Sequence, residues 1–582
     1  MLVDEGLISE EQLARALAEQ KRTGQRLGDV LRQWNWVKPE EFYAVLLDSF
    51  RRGKIGELLV RKGLLTREQL DEALKLQRRW GTRIGDVLLA KGWVRPFDLY
   101  QVMAEHLGRP FINLMDEPVD DTLWDPGLLD CYAEYQFIPW RRQGDRVILA
   151  VSDPEPANLL MIEHIYKDVP TDFVITSKLD LHWSLQAHGR DYFKHRAVNK
   201  LRERQAELSA SQVFTTPQLV TLYLFATALL AALVRWPVPT LMAINMALAL
   251  FLLLNFGMRV IFAWVGSHES IDVKVTDEEV AALEDEDLPT YTILVPMYKE
   301  PEVLPIIAQS IREMDYPLSK IDVKLVLEED DIETFEEAKR LGLEGIFEII
   351  RVPPSLPKTK PKACNYALNF SRGELLTIYD AEDKPEPDQL KKVVVAFRKA
   401  SSETAVIQAR LNYFNGPENW LTKQFTIEYS LWFDFYLPAL DALRIPIPLG
   451  GTSNHFRMKV LKEVDAWDPY NVTEDADLGV RLTQLNYRVG VVNSTTFEEA
   501  NSNLHNWIRQ RSRWLKGYMQ TYLVHMRRPL HMYRLLGHVG FWGFQFFIGG
   551  TILSALIAPF LHGMYLFWLF TMTHAFDPLF SP

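Results

Sequence analysis

Two acidic clusters hold the residue types from which catalysis could be built. The hydrophobic run LLTIY (375–379) ends in Asp380-Ala381-Glu382-Asp383, and VTEDADLGVRL opens on Thr473-Glu474-Asp475 before taking up a helical pattern. A strand that ends in acids offers hard oxygen ligands with alternate side chains on one side. Such a set suits Mg²⁺ or Mn²⁺, which would bind a diphosphate and offset the charge of a leaving group. Taken alone, the first cluster equally suits an exposed acidic turn, and the second an N-capped helix start. A third signal, Gln510-Arg511-Ser512-Arg513-Trp514, sets basic and aromatic residues on a helix. By itself it suits a solvated basic face beside a membrane.

The elements that must position these residues alternate. YTILVPMYKE (291–300) reads as a strand and loop, followed by a helix near 302–314, the strand VKLVL, a helix near 333–341 and the strand IFEIIRV. LLTIYDAED and a helix from Pro387 continue the pattern. The fold class is therefore α/β, with ligand groups expected at the carboxyl ends of strands. LLTIYDAED and KLVLEEDD both fit that rule.

At 582 residues the chain exceeds a single core, so two or three soluble units are expected. A net charge of −12 argues against a general nucleic-acid binder. Cys131 and Cys364 lie far apart without metal-site spacing, which points to a reducing compartment and no disulfide framework. The membrane signals are internal. Ser211–Val234 carries no charged residue, and neither does 237–258. Each run is near the ~20 apolar residues that cross a bilayer. Arg235-Trp236-Pro237 makes a tight turn between them. After Arg534 no Asp, Glu, Lys or Arg occurs before Asp577, enough for one span at about 539–561 and a second from about Met564.

The N-terminus repeats. A slide of 57 residues aligns GLISEEQLARALAEQ (6–20) with GLLTREQLDEALKLQ (63–77), and RLGDVL (26–31) with RIGDVL (83–88). A half-period shows as RLG, KIG and RIG at 26, 54 and 83. Each unit reads as a short helix, a turn and a second helix. Residues 107–190 change to strand–turn–helix patterns (RVILAVSDPEPANL, DFVITSKLDL), and 191–212 reads as a charged linker helix.

The ordered set VPMYKEP, EED, KPKACNYAL, YDAED, PLGGTSNHFR, TED and QRSRW, followed by apolar helices, resembles family 2 glycosyltransferases of the processive membrane type. Cellulose and hyaluronan synthases are of this type, and the resemblance is closest to NfrB-like bacterial inner-membrane enzymes. It implies a GT-A (Rossmann-like) domain at 289–503, a transmembrane hairpin at 213–262, an interfacial helix at 504–535 and C-terminal transmembrane segments at 537–577. It also implies roles. Pro296, Tyr298, Glu300, Glu328 and Glu329 would line the nucleotide pocket, and Lys362 and Asn365 would face the diphosphate or base. Asp380 and Glu382 would hold metal and donor phosphates, with Asp383 as an alternative ligand. Asp475, beside Glu474, would be the general base of an inverting transfer. Gln510 and Arg513 would support the diphosphate, and Trp514 with Gly450, Gly451, Thr452 and Ser453 would border the acceptor.

The repeat at 1–106, with the α/β tail at 107–190, resembles the MshEN-type domain at the front of type II secretion ATPases. That resemblance implies cyclic di-GMP as an allosteric ligand. The matching positions are Arg26, Leu27 and Gly28; Lys54, Ile55, Gly56, Gly63, Leu64 and Gln77; and Arg83, Ile84, Gly85 and Gly92. Lys54, Ile55, Ile84 and His106 depart from the expected Arg, Leu, Leu and Gln, and a Lys loses the planar fork of an Arg. A repeat kept for packing or docking is the other reading. Together the resemblances imply a bacterial inner-membrane enzyme with its soluble domains in the cytoplasm. It would take a UDP-sugar donor and a polysaccharide or lipid-linked acceptor, and work with an outer-membrane or periplasmic export partner. The rivals are transfer of a single sugar to a lipid carrier, and a non-catalytic cyclic di-GMP receptor that gates a secretion partner. Both ends also read as cut, since the first repeat begins mid-unit and the last apolar segment stops at DPLFSP.

Overall fold

A computed structural model describes residues 7–23, 27, 30–31, 34, 36–38, 54–268, 273–343 and 347–571. The second repeat folds as the half-period requires, with helices Lys54–Arg61, Arg67–Trp80, Ile84–Ala90 and Pro96–His106. Thr66 and Gln69 close a capping box at the second of these, satisfying two otherwise orphaned N–H groups. The glycines of KIG and RIG explain the spacing. A Cβ on Gly56 would meet Leu70 at 2.4 Å, and one on Gly85 would meet Leu99 at 3.3 Å. Each glycine thus lets a short helix close onto a leucine 14 residues later.

Behind the repeats lies a small α/β unit. Strands β1 (Phe137–Gln143), β2 (Arg146–Val151) and β3 (Thr171–Ile175) form one sheet, with β1–β2 antiparallel and β2–β3 parallel. Both strand–turn–helix expectations hold, through helices Pro156–Ile165 and Lys178–His188. Helix Arg190–Arg204 then leads toward the apolar segments.

The larger sheet contains β4 (Tyr291–Met297), β5 (Ile321–Glu328), β6 (Phe347–Val352), β7 (Leu375–Ile378), β8 (Lys384–Pro385), β9 (Thr404–Tyr413), β10 (Asn454–Arg457) and β11 (Arg488–Glu498). Its order is β6-β5-β4-β7-β10-β9-β11-β8. The first four run parallel, as β-helix-β alternation dictates, and β10 enters antiparallel between β7 and β9. The result is an open, mixed sheet of the α/β class expected. β4, β7 and β10 converge on the loops that hold the first acidic cluster.

Among the described residues, three helices are long and apolar enough to cross a membrane: Thr216–Arg235, Pro237–His268 and a composite Pro529–Phe570. The break between the first two falls at Trp236. The second helix outruns the expected boundary at 262, because its last turns pack on the domain of the larger sheet. A Cβ on Gly266 would lie 1.9 Å from the carbonyl oxygen of Phe435. It also meets the C-terminal helix through Asn255 on Ser554 (3.2 Å) and Arg259 on Thr551 (3.0 Å). The composite helix kinks at Gly537, whose φ of 69° is left-handed. The second C-terminal span expected from Met564 is not separate: helix Gly550–Thr571 runs through Met564 without a turn, and 572–577 lies outside the described residues. The interfacial helix divides into Leu504–His525 and the start of the composite helix.

Candidate active site

Asp380 stands just beyond β7, at the carboxyl end of the parallel strands. The ammonium of Lys360 sits 2.5 Å from its Oδ1 and donates to the Gly451 carbonyl at 2.8 Å. Lys360 opens helix Lys360–Ala367, with Pro361 at the first turn. Glu300, Asp380 and Glu382 face one another. Burial first, and then the charge of Asp380, raises the carboxyls of Glu300 and Glu382 above their ordinary range. Glu498, at the end of β11, is also pushed up, by burial and then by Asp383, Asp380 and Glu382.

The second cluster reaches the same cleft. Glu474 and Asp475 begin helix Glu474–Gln484, and both are buried. The Trp467 indole N–H donates to Asp475 Oδ1 at 3.0 Å. Burial and then Glu474 hold the Asp475 carboxyl well above the usual range, while Lys360 pulls it back. Burial carries Glu474 up to about 7 against the pull of Lys360. Lys360 thus lies between the two clusters. The KPKACNYAL motif points to Lys362 for this place, and nothing in its pattern distinguishes Lys360.

Several expected site residues point elsewhere. Lys362 is buried against Glu328 at 2.7 Å, so the two form an internal ion pair. Asn365 donates to the carbonyls of Trp467 (2.8 Å) and Ala197 (3.1 Å), away from any donor, because its helix faces the linker there. Glu329 is held by Arg190 at 2.5 Å. Asp383 is fully buried, accepting from the Asp380 N–H (2.7 Å) and lying against the Thr452 hydroxyl, so it shapes the turn. Ser453 is buried on Thr496 (2.7 Å), and the Gly450 N–H donates to Gln408 (2.9 Å). Gly451 stays exposed at the cleft. The left-handed φ of 55° at Ser453 drives this inward turn.

Tyr298, Gln510, Arg513 and Trp514 are exposed or half-buried. Tyr298 is exposed beyond β4 after Pro296, donating to Asp330 (3.2 Å) beneath the Lys358 ammonium, 3.9 Å from its ring centre. Arg513 is exposed and close enough to Glu474 to lower its carboxyl. Gln510 keeps a buried oxygen without a hydrogen-bond partner. Trp514 is half-buried, with the Arg511 guanidinium 4.6 Å from its ring centre, and Arg511 also grips Glu428 (2.5 Å).

The carboxylates are hard donors of the kind Mg²⁺ and Mn²⁺ prefer, and their mutual repulsion is what a cation would relieve. Among the described residues, no three His, Cys, Asp or Glu side chains form a ready cage. A metal held by Asp380 and Glu382 would therefore complete its shell with donor oxygens and share Asp380 with Lys360.

In the N-terminal region, Ile55, Gln77, Arg83, Ile84 and Gly85 line a cavity of about 1470 Å³, whose far wall is the domain of the larger sheet. Arg83 is engaged by Asp153 at 2.5 Å. Gly63 and Gly92 are exposed, each with a left-handed φ (71° and 66°) that ends a short helix. Leu64 is half-buried and packs into the repeat core, as Leu27 does in the first repeat. Arg26 and Gly28 lie outside the described residues, as does the Lys54 side chain.

Glu474 yields a prediction with a defined sign. Its folded carboxyl is raised, so the folded state binds more protons than the unfolded one between about 4.5 and 7. Stability from this group is present below that window and lost as pH rises through it. Glu474→Gln should therefore match the parent near pH 5 and exceed it by about 1–3 kcal/mol at pH 8 in denaturant melts. An equal difference at both pH values would refute the assignment.

A family model described as Glycosyl transferase family group 2 matches residues 375–576, and one for the MshEN domain matches 107–191, the small α/β unit. The chain is 23% identical over 283 residues to "Probable glycosyltransferase YdaM" of Bacillus subtilis, covering 47% of this chain and 66% of that protein. It is 26% identical over 241 residues to "Beta-monoglucosyldiacylglycerol synthase" of Trichormus variabilis, covering 40% and 50%. The chain thus spans about half to two thirds of the length of these relatives. Among solved structures, a mannosyltransferase from Pyrobaculum calidifontis in complex with GDP-Man and Mn²⁺ is 18% identical, covers 54% of this chain and 92% of its own, and has a TM-score of 0.37. MshE with cdg is 28% identical over 23% of this chain and 97% of its own, with a TM-score of 0.21. The chain carries a domain of glycosyl transferase family group 2, with an MshEN domain in front of it.

Proposed function

We propose that the chain is an inverting, membrane-bound glycosyltransferase that takes a nucleotide-sugar donor, with a UDP-sugar as the first candidate. The observation that carries this reading is the meeting of Asp380 and Asp475 in one cleft, with Lys360 between them. Asp475 takes the acceptor hydroxyl proton as that oxygen attacks the anomeric carbon, and the donor's glycosidic bond to phosphate breaks. Lys360 and Arg513 offset the charge gained by the leaving diphosphate. Asp380 and Glu382 would hold Mg²⁺ or Mn²⁺, which would supply Lewis-acid neutralisation of the phosphates. The apolar helices anchor the enzyme in the bacterial inner membrane, and the product is exopolysaccharide destined for an export partner.

The MshEN match supports cyclic di-GMP as the regulator, bound at the cavity beside Arg83. The test is a donor screen on membranes with Mn²⁺, with and without cyclic di-GMP. Transfer from a UDP-sugar that rises or falls with the dinucleotide is expected. No transfer or hydrolysis of any nucleotide sugar would overturn the catalytic reading, and unchanged transfer with no calorimetric binding would overturn the regulatory one. Similarity to the glucosyldiacylglycerol synthase favours a second reading, in which one sugar passes to a lipid. Product length separates the two.

A further inference from the structure

Helix Arg190–Arg204 and the segment after it join the N-terminal module to the first apolar helix, and they hold one loop of the transferase domain unusually firmly. Asp465 is buried and receives both Arg204 (2.7 Å) and Lys200 (3.0 Å). Asp468, also buried, accepts from the Ser209 hydroxyl (3.2 Å) and the Ala210 N–H (2.5 Å). Between these two anchors lies Trp467, fully buried, whose indole N–H reaches Asp475. Its backbone is clamped by Asn365, which accepts from the Trp467 N–H (3.3 Å) and donates to its carbonyl (2.8 Å). The same Asn365 amide donates to Ala197 of the linker helix. Asp465 and Ala466 take left-handed φ values of 59° and 51°, which non-glycine residues adopt only when their surroundings compel it. Arg481 adds to this by binding the carbonyls of Val464 and Ala466 (2.9 and 2.6 Å).

We propose that Trp467 is a positioning residue for Asp475, and that the linker at 190–210 sets Trp467 through Asp465, Asp468 and Asn365. The N-terminal module would then act on the proton-transfer step through this loop. The inference rests on Asp475 being the base. An indole N–H donated to a carboxylate favours its ionised form and fixes which oxygen faces the acceptor. Glu474 from its own helix, Lys360 and Cys364 from helix Lys360–Ala367, and Asp380 beyond β7 face the same carboxyl. Trp467 is the neutral donor among them.

The experiment uses the full chain in detergent with a donor that supports transfer. Trp467→Phe keeps the ring and removes the N–H. Its kcat should fall at least tenfold with donor KM within twofold, and the acidic limb of the rate profile should move to higher pH. Lys200→Ala with Arg204→Ala, which touches nothing in the cleft, should lower kcat several-fold and move the limb the same way, and Arg204→Lys should restore both. This pair also keeps the test open if the Trp467 variant fails to fold. Unchanged kcat and limb in the linker variant, or in a folded Trp467→Phe protein, would overturn the inference while Asp475→Asn remained inactive. Full activity of Asp475→Asn would instead overturn the base reading beneath it.

Discussion

Asp475→Asn is expected to lower kcat by about 10²–10⁴-fold while leaving donor KM nearly unchanged. Asparagine keeps the shape and can still accept the Trp467 indole N–H, so the variant removes proton affinity without emptying the site. Burial beside Glu474 keeps the Asp475 carboxyl high, which makes it a better proton acceptor near neutral pH than an ordinary aspartate. The same shift predicts that activity falls as pH drops, because the base must be ionised to act. Glu474 is adjacent in sequence but lacks the Trp467 indole N–H that holds Asp475, and it feels the charge of Arg513 as well as that of Lys360. Glu474→Gln should accordingly cost much less than Asp475→Asn. Initial rates with saturating donor at several pH values decide the matter. Undiminished transfer by Asp475→Asn from every donor the parent uses would remove Asp475 from the chemistry.

Which segments carry the site was legible from one sequence, and which side chains face it was often not. The strand of LLTIYDAED, the helix at TED and the α/β alternation follow from hydrophobic period and from where charge interrupts it. Side-chain direction at a loop depends on contacts that no local pattern encodes. Asp383 turns inward because Thr452 and the Asp380 N–H receive it, and those partners lie on different segments. Lys360 and Lys362 illustrate the limit further. They stand two residues apart on one short helix, so one reaches Asp380 and the other Glu328. A helical projection separates them by about 200°, which shows that both cannot share a face. It does not say which face meets the cleft. Glu329 escaped for another reason. Its partner, Arg190, lies 139 residues away in a different domain.

The contact between those domains yields the second large effect. Lys324, on β5, is fully buried, 3.0 Å from Asp322 and 2.5 Å from Glu348 of neighbouring β6. In the sequence both strands set charged residues within apolar runs, Asp322 and Lys324 in β5 and Glu348 and Arg351 in β6, a pattern that usually marks solvated positions. Here helix Lys178–His188 covers them. His182 lies between Glu348 and Gln136, and Lys178 approaches Glu348 at 3.5 Å. Arg372 closes the other side on Asp322 at 2.7 Å. Lys324→Met would leave two buried carboxylates facing fewer cations, and removing one partner of a buried pair typically costs about 3–5 kcal/mol. The neighbouring cations hold that figure toward its lower end. Lys324→Met with Glu348→Gln should recover part of the loss, since the second change removes the stranded charge rather than adding a contact. Equilibrium denaturant melts of the three proteins measure this directly. If the single and double variants are equally destabilised, Lys324 acts by packing alone, and the charge network is not what fastens the MshEN domain to the sheet.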